Sequence, residues 1–65
     1  MKLLTLAEWQ KLPPFQQGWA LYMQASWPGS ELIGESCPYG LGSRERRQFF
    51  EGERAAVLAA QDSEE

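Results

Sequence analysis

Apolar residues recur at helical spacing in two stretches of this chain, and a turn-rich stretch separates them. With Phe15 set to zero and ~100° per residue, Gly18, Trp19, Tyr22, Met23, Ala25 and Ser26 fall within about 80° of it, predicting an amphipathic helix that packs through this side. Ala20 and Leu21 fall off that stripe. The same wheel started at Phe49 gathers Phe50, Gly52, Ala56, Val57, Ala59 and Ala60 and predicts a second long helix, with Glu53 inside its apolar side. Both stripes carry a Phe-x-x-Gly step, Phe15 to Gly18 and Phe49 to Gly52. Glycine costs roughly 1 kcal/mol against alanine in a helix interior, so a glycine on each apolar side marks a place where another backbone comes close. Phe15, Gly18, Phe49 and Gly52 are therefore the expected helix-packing residues.

Local signals set the element boundaries. Thr5-Leu6-Ala7-Glu8 fits a capping box, with Leu4 and Trp9 where a hydrophobic staple would close, and predicts a short first helix from about Leu6 to Leu12. Leu12 precedes Pro13, and a residue before proline avoids the helical region. Pro14 suits the first position of the next helix, where its missing N–H costs nothing. Pro28-Gly29 ends that helix, and Trp27 to Gly42 reads as a loop anchored by Leu32, Ile33 and Tyr39. Ser43 is a fair N-cap for a helix running to about Ala60. The expected architecture is all-α: a helical hairpin of two main helices joined by a long ordered loop, with a short extra N-terminal helix. Residues 1–60 form one domain, and 61–65 an acidic flexible tail.

Composition narrows the chemistry. A chain of 65 residues holds one small core, and the usual staples are missing: Cys37 has no second thiol to pair with, and there is no histidine to help build a zinc site. Oligomerisation remains as a source of stability, and three Trp, two Tyr and three Phe are more aromatic surface than a few helices bury, so a homodimer is expected. Net charge is −3, which argues against general affinity for a phosphate backbone. Yet Arg44, Arg46, Arg47 and Arg54 hold four of the six basic residues. Three of them crowd a helix N-terminus, where positive charge opposes the macrodipole; either they form a solvated turn softened by Glu45 or they meet an acidic surface or a few phosphates. No stretch is long and apolar enough to span a bilayer, and Leu3 to Ala7 is too short for a signal peptide core, so a cytoplasmic protein is expected.

No Gly-rich phosphate loop with Lys, no Ser with a His partner and no metal-spaced ligand set occurs, so neither enzyme activity, cofactor, metal nor small-molecule substrate is expected. Glu53 reads either as a solvated edge position or as one half of a charge pair across an interface. Cys37 reads as structural, with no basic neighbour in sequence to lower its pKa.

The order Phe15-Gln-Gln-Gly18-Trp19, Cys37-Pro38-Tyr39 and Phe49-x-x-Gly52-x-Arg54-Ala55 resembles the ribosome modulation factor family of bacteria, across roughly residues 15 to 58. The resemblance implies a two-helix core with an ordered loop and, in function, binding to the small ribosomal subunit with formation of inactive ribosome dimers. That family is strongly basic whereas this chain is acidic, and the interval from Gly18 to Cys37 is longer than the family's. Two functional expectations follow. The first is a small helical protein of phage or mobile-element type that binds and modulates a host protein, with Trp19, Tyr22, Trp27, Tyr39, Arg44, Arg46, Arg47 and Arg54 as partner-binding residues. The second is a ribosome-associated factor, with the arginines on RNA phosphates and Tyr39 near a base.

Overall fold

The computed structural model describes residues 3–62 and contains three helices, α1 (Leu6–Gln10), α2 (Pro14–Gln24) and α3 (Arg44–Asp62), with no strand among the described residues. It is the expected helical hairpin with a short leading helix. The capping box forms as read: the Thr5 hydroxyl accepts from the Glu8 N–H at 3.1 Å, and the Glu8 carboxylate accepts from the Thr5 N–H at 2.9 Å. A loop residue adds to this terminus, since Glu31 Oε1 accepts from the Leu6 N–H at 2.8 Å and places negative charge at the positive end of α1. α1 stops at Gln10, two positions short of the expected end, and Pro14 opens α2 in its first turn. Ser43 caps α3, accepting from the Arg46 N–H at 3.1 Å. α3 continues past Ala60 through Asp62, and the rest of the expected tail, 63–65, lies outside the described residues.

The two long helices meet backbone to backbone at their glycines. A methyl carbon built on Gly18 would lie 1.9 Å from the Phe49 carbonyl oxygen, and one built on Gly52 would lie 1.9 Å from the Phe15 carbonyl oxygen. The next contacts are reciprocal too, Gly18 against the Glu53 nitrogen and Gly52 against the Trp19 nitrogen, each at 3.1 Å. Each glycine thus sits over the peptide groups of the opposite Phe-x-x-Gly step, and the hydrogen in place of a side chain points at a carbonyl oxygen. No other residue type fits there.

One side of this helix pair is covered by α1 and the loop. Trp9, Ala20, Leu21, Leu32 and Phe49 form the buried cluster, with Leu4, Leu6, Leu12, Ala25, Cys37 and Tyr39 packed around it. The Trp9 and Phe49 rings meet edge to face, centroids 6.5 Å apart and planes at 87°. Two buried amides stitch the layers together. Trp9 Nε1 donates to the Gln17 carbonyl at 2.9 Å while Gln17 Nε2 donates to the Trp9 carbonyl at 3.2 Å, and Gln17 Oε1 accepts from the Tyr39 hydroxyl. Gln24 Oε1 accepts from the Leu4 N–H at 2.9 Å.

These bonds overturn the stripe read for α2. Its buried side consists of Gln17, Gly18, Ala20, Leu21 and Gln24, and of the expected apolar stripe only Gly18 is fully buried. Amide side chains are ordinarily costly to bury, but each here has partners, and that permits the helix to turn over. The aromatic stripe points outward: Phe15 is 42% and Tyr22 43% exposed, and Trp19 and Met23 are half-buried. Phe15 meets Gly52 through its backbone carbonyl, and its side chain is partly exposed. Two smaller corrections follow from the same packing. Phe50 lies at the edge of the α3 stripe and is 43% exposed, and Ile33, expected to anchor the loop, faces solvent because its neighbour Leu32 takes the core position.

Candidate partner-binding surface

The loop and the first turns of α3 build a concavity of about 240 Å³ lined by Gly42, Ser43, Arg46, Arg47 and Phe50. Gly42 has φ of +81°, a conformation that glycine adopts freely and that turns the chain into the helix. The Ser43 hydroxyl donates to the Gly40 carbonyl at 2.8 Å while capping Arg46, so this wall is held at both ends. Arg46 Nη1 donates to the Tyr39 carbonyl at 3.2 Å, and its guanidinium lies 4.9 Å from the Phe50 ring centroid, a cation–π contact. Phe50 in turn meets the core through Phe49, edge to face at 5.6 Å. Arg46 is thereby fixed. Arg47 is exposed beside it, and Leu41 on the rim of the loop is 89% exposed.

The expected site residues divide between places. Arg46 and Arg47 line the concavity, and Tyr39 is tied to it through Arg46. The Tyr39 hydroxyl is directed inward to Gln17. Arg44 and Arg54 are exposed elsewhere on α3 and do not line it. Trp19 and Tyr22 lie on the outward side of α2, and Trp27 is exposed in the turn after that helix. Sequence reading missed Leu41 and Phe50 as surface apolar residues. Gly40-Leu41-Gly42 was the available signal for the first, since a leucine between two glycines in a turn has no neighbouring element to bury it.

Glu53 sits half-buried on α3 next to the glycine contact, and burial pushes its carboxyl above the ordinary value. Cys37 is half-buried with its sulfur 4.0 Å from the Tyr39 carbonyl, in keeping with a packing role. Among the described residues no group of His, Cys, Asp and Glu could hold a metal ion, and no helix is long and apolar enough to cross a membrane. In comparisons with known proteins, no family model, no curated protein and no solved structure matches the chain.

Proposed function

We propose that this chain is a non-enzymatic helical binding protein, of the small kind carried by phages and mobile elements, that docks on an acidic surface of a host protein in the cytoplasm and modulates it. The observation that carries the reading is the concavity at the start of α3, lined by Arg46, Arg47 and Phe50 with the Arg46 guanidinium over the Phe50 ring, and preceded in the chain by an almost fully exposed Leu41. Arginines in the first turn oppose the helix macrodipole, and exposed Arg47 has no contact among the described residues that offsets this. Arginine and aromatic side chains on a held surface are the residue types that dominate protein interfaces. The lining has no carboxylate, thiol or imidazole, and the hydroxyl of Ser43 is occupied in capping.

A pull-down from bacterial lysate with mass spectrometry tests the reading. The wild-type chain is expected to retain one predominant protein, and Arg47→Glu and Leu41→Asp, both at exposed positions, are each expected to reduce its capture at least tenfold without changing helix content. Capture unaffected by either substitution would refute it.

One observation favours a second reading, the ribosome-associated one. The Arg46 guanidinium stacked on the half-exposed Phe50 ring is an arginine–aromatic pair, the combination that stacks unpaired RNA bases. The net charge of −3 weighs against it, because few counterions would be released on binding RNA. Co-sedimentation with small ribosomal subunits that weakens steeply with salt would favour this second reading over the first.

A further inference from the structure

α2 is folded with its aromatic stripe outward, and no residue from Leu12 to Ser30 carries a charge. Phe15, Trp19, Tyr22 and Met23 share the outward side, exposed or half-buried, although buried positions on the same helix are occupied by glutamines. From this uncharged aromatic face we infer that α2 is the contact surface for a second copy of the chain, the two α2 helices packing about a two-fold axis near Trp19 and Tyr22.

Charge selects this occupant. In a two-fold contact each residue near the axis meets its own copy, so any charge there is repelled by itself, and a face free of Lys, Arg, Asp and Glu meets that requirement. The same neutrality disfavours the other occupants. A nucleic acid would find no cation on α2. An anionic membrane surface would find none of the flanking Lys or Arg with which interfacial helices hold headgroups. A strongly charged protein surface would lose its hydration against aromatic rings with nothing to pair with. A copy of α2 offers rings to rings, edge to face or offset, as already occurs inside the molecule between Phe49 and its neighbours. The rest of the chain carries all of its net charge of −3, so two copies repel least when they approach through this helix.

The dimension of the face sets the strength. α2 has 11 residues and is therefore ~16 Å long, and its stripe falls short of the ~800 Å² per partner of a standard interface. The dimer is accordingly weak and dissociates on dilution. It leaves the concavity at the start of α3 available, and so does not depend on the function proposed above.

Sedimentation equilibrium over a wide concentration range tests the inference directly. The wild-type chain is expected to rise from its monomer mass of 7.4 kDa to twice that value, reversibly. Tyr22→Lys and Tyr22→Glu, at an exposed position, are each expected to remain monomeric with unchanged helix content, and an equimolar mixture of the two to recover the dimer through the new opposite charges. Leu58→Lys, on an exposed part of α3, is expected to dimerise like the wild type. A wild type that stays monomeric at every concentration, a Tyr22→Lys chain that still dimerises, a mixture that does not recover, or loss of dimer in Leu58→Lys would each overturn the proposal. Should the wild type be monomeric while Tyr22→Lys loses a lysate protein that Arg47→Glu retains, the α2 face belongs to a foreign protein.

Discussion

Glu53 shows how a single side chain records the packing around it. Its stripe position was legible from the wheel, and the structure places it half-buried beside the glycine contact, with its carboxyl raised by desolvation. A carboxyl whose folded pKa lies above its unfolded value keeps its proton longer in the folded chain. Its contribution to stability is full below the ordinary carboxylate range and is lost as pH rises through the folded value. Glu53→Gln should therefore stabilise the chain at neutral pH by less than about 1 kcal/mol, since solvent screens a half-exposed charge, and should leave it unchanged near pH 3. Urea titrations at the two pH values check this, and an equal effect at both would be contrary to it.

The elements were read with uneven success, for reasons that lie in particular residues. Thr5, Glu8 and Ser43 act through groups three positions away and Pro14 through its own backbone, so their capping and start signals were visible in the chain itself. The orientation of α2 was not, because it is decided by Gln17 and Gln24, whose partners are Trp9, Tyr39 and Leu4 on other elements. A hydrophobic stripe on a wheel is blind to glutamines whose hydrogen bonds are supplied from elsewhere. The concavity at the start of α3 was half legible: the arginine cluster stood out, whereas the bond from Arg46 to the Tyr39 carbonyl and the exposure of Phe50 are set by tertiary packing. Gln17 holds α1, α2 and the loop at once, which makes it the sharpest test at this scale. Gln17→Leu removes the acceptor of the Tyr39 hydroxyl and the donor to the Trp9 carbonyl, and should cost about 2–3 kcal/mol. Chemical denaturation measures it, and a loss no larger than that of Tyr39→Phe alone would mean that α1 is not held through this amide.

For the whole molecule, two glycines determine how the helices approach and a pair of buried amides determines which side of α2 is hidden. The consequence is a small core of Trp9, Leu21, Leu32 and Phe49 on one side and an aromatic, uncharged helix face on the other. Both proposals rest on that division. The arginine concavity sits where α3 leaves the loop, and the α2 face is what remains after the amides have taken the interior. The most direct measurement is the melting temperature of Gly18→Ala beside that of Gly40→Ala, a loop glycine with nothing within 4 Å of an added methyl. Overpacking backbone on backbone costs about 3 kcal/mol, which in a domain of this size lowers the midpoint by about 12–24 °C. Gly18→Ala is expected to fall by that amount and Gly40→Ala to stay within a few degrees of the wild type, about the limit for a neutral surface change. A Gly18→Ala chain that melts higher than the wild type, as alanine would make any solvent-facing helix position do, would contradict the helix contact from which the rest is built.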